Sequence, residues 1–127
     1  MRRRISSGSP FEAEIGFSRA VVAERQVHVS GTAPVMPDGG APPPDAYAQA
    51  HRCLEIIGAA LAEAGAGLGD VVRTRTFLVR AADWRDVGRA HGEVFADVRP
   101  ASTMVVVKEL LDPAWLVEIE ADAVVPA

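Results

Sequence analysis

The chain has 127 residues, of which 49% are hydrophobic and 24% charged, as in an ordinary water-soluble globular domain. Its formal net charge of -4 argues against a general nucleic-acid or anionic-membrane binder, because both kinds of binding need clustered Lys and Arg. A single cysteine, Cys53, excludes an internal disulfide, so we expect a reducing, cytoplasmic location.

The sequence predicts neither a signal peptide nor a membrane-spanning segment. The basic run Met1–Arg4 is not followed by the apolar segment that a signal peptide needs. No apolar run approaches the length that spans a bilayer. We therefore expect one domain over residues 1–127, with no membrane partner.

The first third of the chain predicts short strands and loops. Arg2 to Ile5 is typical of an edge strand, and residues 6–10 of a loop. Phe17 to Ala23 and Gln26 to Ser30 predict a hairpin. Five prolines between Pro34 and Pro44 indicate a loop that crosses the surface.

Two helices follow, on either side of a strand. Asp45 is a good N-cap, and Gly65 a good stop, for a first helix whose apolar positions recur every three or four residues: Tyr47, Ala50, Leu54, Ile57, Leu61 and Ala64. Val71 to Arg80 predicts a strand. A second helix is predicted from Asp83, with Asp86 supporting its first turn, to a point before Arg99-Pro100.

The last thirty residues predict two strands joined by a proline-containing turn. The first, Ser102 to Lys108, is largely apolar on both faces and is therefore expected to be covered from both sides. From Val117 onward apolar and acidic residues alternate, which puts Glu118, Glu120 and Asp122 on one face. The element order predicts an α+β sheet with both helices on one face. Its other face would be left uncovered, and self-association into a closed ring is the simplest way to bury it.

At this point the sequence resembles the Rid family, also called the YjgF or reactive-intermediate deaminase family, along nearly its whole length. The shared segments are Ile15 to Ala20, Val29-Ser30-Gly31, Ala48-Gln49-Ala50, Leu54, Ala64-Gly65, Gly69 to Val72, Phe95, Pro100-Ala101 and Val117 to Ala121. The resemblance implies a chorismate-mutase-like α+β fold with a mixed sheet of about six strands. It also implies a homotrimer around a central β-barrel, with a small-molecule cleft between each pair of neighbouring subunits.

The family's deaminases hydrolyse small enamine or imine acids, such as 2-aminoacrylate, to a 2-keto acid and ammonia without a cofactor. An arginine fork binds the substrate carboxylate in such a site, and a glutamate holds and polarises the attacking water. By resemblance, Glu118 takes the glutamate's catalytic role, and Ser30 and Gly31 match the serine and glycine that end the third strand. Neither a cofactor nor a metal is implied.

Two positions depart from the deaminases' pattern. Ser102 stands where they have the arginine of a Pro-Ala-Arg motif, and Phe17 where they commonly have a tyrosine. Losing a charged hydrogen bond weakens carboxylate binding roughly ten- to a hundredfold, so we expect little deamination of 2-aminoacrylate. Arg73 and Arg75, on one face of a neighbouring strand, and Arg19 are the candidate replacements.

Several residues admit more than one interpretation. The three acids are either a solvated strand face, partners of Arg73 and Arg75, or, for Glu118, part of a site. His91 is either a half-buried, hydrogen-bonded histidine or a proton donor in a cleft. Ser30 is either a strand-ending residue or a site residue. The dispersed histidines show no metal-ligand spacing.

Three functions follow from these alternatives. The first is a hydrolytic deaminase whose arginine role has moved elsewhere or whose substrate is neutral. The second is a non-deaminating protein that binds or transforms another metabolite in an apolar cleft lined by Phe17, Met104 and His91. A translation- or RNA-directed role ranks last, because basic and aromatic residues do not interleave.

Overall fold

The computed structural model describes residues 2–127, so only Met1 of the basic run lies outside it. In this part of the chain six strands form one sheet in the order β1-β2-β3-β6-β4-β5. The β4–β5 pair is parallel and the other pairs are antiparallel, which confirms the predicted α+β class and mixed sheet. The elements are β1 (Arg2–Ile5), β2 (Ala20–Ala23), β3 (Gln26–Thr32), α1 (Ala46–Glu63), β4 (Val71–Leu78), α2 (Trp84–Phe95), β5 (Ala101–Val106) and β6 (Val117–Val124).

Helix α1 begins and ends where the sequence predicts. The Asp45 side chain accepts a hydrogen bond from the Ala48 backbone N–H at 2.8 Å. At the other end Gly65 adopts a φ of +84°, and the Ala66 N–H reaches back to the Leu61 carbonyl at 2.8 Å. This left-handed stop satisfies carbonyls that the helix leaves unpaired.

Helix α2 begins differently from the prediction. Asp83 does not cap the helix with its side chain. Its carboxylate instead pairs with Arg80, at 2.9 and 3.2 Å, within a 3₁₀ turn formed by Ala81–Asp83. The helix proper starts at Trp84. A bidentate pair with an arginine three residues upstream has replaced the expected cap.

The core lies between the two helices and one face of the sheet. Val117, Ile119, Ala121 and Ala123 of β6 are all at most 1% exposed and pack in one cluster with buried residues of α1. The alternation in β6 therefore points its apolar side chains toward the helices, as predicted, and its three acids toward the opposite face. Thr74, Thr76 and Leu78 of β4 are buried on the helix side in the same way.

Three strands are shorter than predicted. A helical turn occupies Glu12–Gly16 and ends at Phe17, so the predicted strand at Phe17 to Ala23 begins only at Ala20. Strand β4 ends at Leu78, and β5 at Val106. Of the helices in residues 2–127, none has the length and apolarity needed to cross a bilayer.

The apolar sequence of strand β5 predicts cover on both faces, but within a single chain the strand is partly exposed. It lies at the edge of the sheet, beside β4 only. Val105 and Val106 are 42% and 54% exposed there. Cover on both faces therefore stays a prediction, because the sequence analysis expects self-association to supply it and a single chain does not test that.

Candidate functional site

The Glu118 carboxylate lies directly against the backbone of Gly31. A Cβ atom added at Gly31 would lie 2.3 Å from Glu118 Oε2 and 3.3 Å from Cδ, so only glycine leaves room for the carboxylate. The two strands meet here at an irregularity, since β3 advances from Val29 to Thr32 while β6 steps only from Ala121 to Ile119. Such a bulge changes the direction of nearby side chains, and here it brings the Gly31 backbone against the Glu118 carboxylate.

Arg19 holds the other side of this bulge. Its Nη1 donates to Thr32 Oγ1 at 2.8 Å, to the Gly31 carbonyl at 3.2 Å and, more weakly, to Ser30 Oγ at 3.5 Å. The Ser30 hydroxyl donates in turn to the Arg19 carbonyl at 3.0 Å. Arg19, one of the three candidate cations, thus holds in place two residues predicted for the site, Ser30 and Gly31.

Burial and charge oppose one another at this carboxylate. Burial raises the pKa of Glu118 above its ordinary value, the Arg19 charge lowers it, and Glu120 raises it further. Burial likewise lowers the pKa of Arg19, while Glu118 and Glu12 counter that effect. A carboxylate that is half desolvated yet close to a cation is suited to accept a proton or to hold a water molecule.

A cavity of about 760 Å³ opens beside Glu118. Its wall is mainly the segment between β5 and β6, together with Val79 at the end of β4. The lining residues are Val79, Lys108, Glu109, Leu110, Leu111, Asp112, Pro113, Trp115 and Glu118. Its volume falls within the range of small-molecule sites, and its lining combines five apolar side chains with four charged ones.

Gln49 of α1 positions the segment that forms this cavity. Its side chain is 1% exposed, and its amide nitrogen donates to the carbonyls of Pro43 and Ala114, at 2.8 and 3.0 Å. The Leu116 N–H donates to its amide oxygen at 2.8 Å. One buried amide therefore ties the cavity wall and the proline-rich loop to the helix.

Ser102 and His91 lie on the other face of the sheet from Glu118. Thr74 Oγ1 donates to Ser102 Oγ at 2.9 Å and lies 2.8 Å from His91 Nε2 on α2, so all three side chains meet on the helix side of β4. Glu118 points away from the helices. A pocket containing both Glu118 and Ser102, as the sequence suggests, is therefore not formed within one chain and would need a second copy.

His91 matches the first of its two interpretations. It is half-buried, hydrogen-bonded to Thr74 and tilted against Phe95, with ring centroids 4.7 Å apart. Burial lowers its pKa, which favours the neutral imidazole at neutral pH.

The remaining predicted binding residues are dispersed. Arg75 Nη1 binds Glu120 and Asp122, each at 3.2 Å, on the face opposite to Ser102, so it does not replace the missing arginine there. Arg73 is exposed next to it in β4, two residues away on the same strand. Phe17 is 37% exposed at the end of its helical turn. Met104 lines a hollow of about 270 Å³ with Trp84, apart from the Glu118 cavity.

Cys53 belongs to the core, and the described residues contain no cluster of metal ligands. Cys53 is fully buried, and burial raises the pKa of its thiol to about 12, so it acts as a small apolar core residue. Within residues 2–127 no group of three or more His, Cys, Asp or Glu side chains is arranged to hold a metal ion.

Sequence reasoning did not identify the cavity or its anchor. The sequence singles out Gln49 only within the shared segment Ala48-Gln49-Ala50, without a role, and Lys108, the only lysine of the chain, only as the end of an apolar strand. The roles of both residues are apparent only in the folded chain, where the segment between β5 and β6 lines a cavity together with Val79 at the end of β4.

The family model described as Endoribonuclease L-PSP matches residues 8–125. An uncharacterised protein of Streptomyces coelicolor is 41% identical over 121 residues, which are 95% of this chain and 90% of that one. A 2-iminobutanoate/2-iminopropanoate deaminase of Rattus norvegicus is 32% identical over 96% of this chain and 90% of its own, and the protein of that name in Escherichia coli K12 is 33% identical over 88% and 90%.

Solved structures give the same relationship. A member of the YjgF/YER057c/UK114 family from Mycobacterium tuberculosis is 44% identical, superposes with a TM-score of 0.90, and matches 98% of this chain and 100% of its own. Escherichia coli TdcF, solved with bound serine, is 27% identical with a TM-score of 0.81, and the match covers 96% and 93% of the two chains.

Proposed function

Because this chain belongs to the endoribonuclease L-PSP family, the family of the YjgF and Rid proteins, we propose that it hydrolyses the C=N bond of a small imine, including one formed from its enamine tautomer, at Glu118. The position of the Glu118 carboxylate carries the proposal: it is half-buried, packed on Gly31, close to the Arg19 charge and exposed to a cavity large enough for a substrate. Relatives named as 2-iminobutanoate/2-iminopropanoate deaminases support the reaction class.

The chemistry needs one water and one carboxylate. Glu118 accepts a proton from water as the water oxygen attacks the imine carbon, and it returns that proton to the nitrogen, which receives the C=N electron pair. Collapse of the resulting carbinolamine forms the C=O bond and expels ammonia, so one imine and one water give one ketone and one ammonia. A general base of this kind increases the reaction rate by about 10²- to 10⁴-fold.

A homotrimer is the assembly that we propose for this reaction. Val105 and Val106 of β5, together with Val72 and Val124, leave large apolar side chains 37–54% exposed along the sheet in the single chain. Covering them with other copies would also bring the Ser102 side of one chain toward the Glu118 side of another. A solution mass of three times 13.4 kDa is expected, and a monomer would contradict this part of the proposal.

The test uses imines generated in place by an L-amino-acid oxidase, with semicarbazide trapping whatever imine escapes hydrolysis. The native protein is expected to reduce trapping for at least one imine in a series of increasing side-chain size. Glu118→Gln should lower the rate of imine hydrolysis by about 10²- to 10⁴-fold and so remove most of this protection. Glu63→Gln is the matched control, since it removes the same carboxylate from an exposed position at the end of α1, a residue that does not act on the pKa of Glu118. Equal protection by native protein and Glu118→Gln would contradict the proposal.

A second candidate is a protein that binds such compounds without hydrolysing them. Ser102, where the deaminases have arginine, favours it, because its hydroxyl is already engaged by Thr74 and supplies no charge. Ligand binding without protection of any imine in the series would identify this alternative.

A further inference from the structure

The cavity beside Glu118 has a lysine, Lys108, in its lining. Among residues 2–127 no carboxylate lies within ion-pair distance of the Lys108 ammonium. Of the other candidate cations, Arg75 pairs with two acids, Arg19 binds the β3 bulge, and none of Arg19, Arg73 and Arg75 lines the cavity. Lys108 is therefore the cation in the lining that is available to bind an anion in the cavity.

The cavity as a whole is not suited to a simple anion. Glu109, Asp112 and Glu118 line it along with Lys108, so the lining carries more negative than positive charge. A ligand with only negative charge would be repelled by these acids. A ligand with both charges fits better, because its carboxylate can face Lys108 while a protonated nitrogen faces the carboxylates.

The wall of the cavity indicates the size of that ligand. The apolar part of the lining consists of Trp115, Leu110, Leu111, Pro113 and Val79, and Leu111 is 97% exposed in the single chain. A volume of about 760 Å³ is far more than a three- or four-carbon acid fills. Burying an apolar side chain against this lining would remove apolar surface from water and so favour binding.

The segment is also held firmly enough to present these groups. The Val107 N–H donates to the Leu78 carbonyl at 2.7 Å, and the Val79 N–H to the Leu116 carbonyl at 3.2 Å. Between these ends Asp112 accepts a hydrogen bond from the Ala114 N–H at 2.8 Å, closing a turn around Pro113. Lys108 and Trp115 stand at the two ends of a loop that is fixed at both.

We infer that Lys108 binds the substrate carboxylate in place of an arginine at position 102, and that the cavity selects the zwitterionic iminium forms of amino acids with large apolar or aromatic side chains. This inference rests on the proposed function for the reaction at Glu118. Its binding component is separate from turnover and is tested separately.

The ligands for the test are stable amino acids, in which the ammonium group takes the place of the iminium nitrogen. Trp84→Phe leaves Trp115 as the only tryptophan, so its fluorescence reports on the cavity during titration with L-phenylalanine. Lys108→Met is expected to weaken L-phenylalanine binding ten- to a hundredfold, with Lys108→Arg close to native. Phenethylamine, which lacks the carboxylate, should bind equally to native protein and Lys108→Met, and L-serine should bind more weakly than L-phenylalanine.

Arg4→Met is the matched control for charge, because Arg4 is exposed on β1. It should leave L-phenylalanine affinity unchanged. Native affinity in Lys108→Met, or equal affinity for serine and phenylalanine, would overturn the inference. If Glu118→Gln slows imine hydrolysis while Lys108→Met keeps its affinity and KM, only this inference fails. If Lys108→Met loses affinity while Glu118→Gln hydrolyses imines at the native rate, only the proposed reaction fails.

Discussion

Replacing Gly31 by alanine tests whether the position of the Glu118 carboxylate matters. The new Cβ would lie 2.3 Å from Glu118 Oε2, whereas ordinary contact begins at 3.4 Å. The carboxylate must therefore retreat by about 1 Å, a misplacement that typically costs about 10²-fold in rate, or roughly 2.7 kcal/mol of transition-state stabilisation. Because the displaced atoms end a flexible side chain, the free energy of unfolding should change by no more than about 1 kcal/mol.

The assay is kcat/KM for the best imine of the series, together with thermal unfolding. Gly88→Ala makes the same change in α2, where an added Cβ meets nothing within 4 Å. This control should keep the native rate and raise stability by about 0.5–1 kcal/mol, the usual gain for alanine over glycine in a helix. A Gly31→Ala protein that is folded and hydrolyses imine at the native rate would refute the role given to the carboxylate position.

Three further predictions concern stability and reactivity. Folding raises the pKa of Glu118, so its ionised form destabilises the native state at pH values above the ordinary carboxyl pKa of 4.5. Glu118→Gln should therefore be more stable than native protein in thermal melts at neutral pH. This difference in stability should vanish as the pH falls through 4.5. A native protein that is the more stable at neutral pH would contradict this. Cys53 should resist alkylation in the native protein and react fully in denaturant, so rapid native modification would show that it is not buried. Gln49→Leu removes three hydrogen bonds and should lower the free energy of unfolding by about 3 kcal/mol in urea titrations; a change below about 1 kcal/mol would show that the cavity wall is held by other contacts.

The parts of the fold that follow from local chemistry could be predicted from the sequence. Asp45 and Gly65 bound α1 because an N-cap side chain and a left-handed stop act on neighbouring backbone groups. The alternation in β6 fixes which side chains face the helices because successive residues of a strand point to opposite faces. Asp83 was predicted less well because Arg80 competes for its carboxylate.

The parts of the site that depend on strand pairing could not be predicted. Glu118 meets Gly31 only because β3 carries a bulge opposite β6, and nothing in either strand alone specifies that register. Ser102 pairs with Thr74 on the helix side because β5 joins β4 in parallel, so its side chain lies across the sheet from Glu118. The resemblance to the Rid family identified Glu118 and Ser102 as site positions. It did not show that they lie on opposite faces of the sheet in one chain.

The most direct measurement is the pH dependence of imine hydrolysis by the native protein and by Glu118→Gln, each corrected for the spontaneous reaction. If the ionised Glu118 carboxylate is the base, the native rate should fall on acidification with an apparent pKa above 4.5, and Glu118→Gln should show a residual rate without that limb. A Glu118→Gln protein with the native rate and the same acidic limb would contradict the assignment of Glu118 as the reacting group.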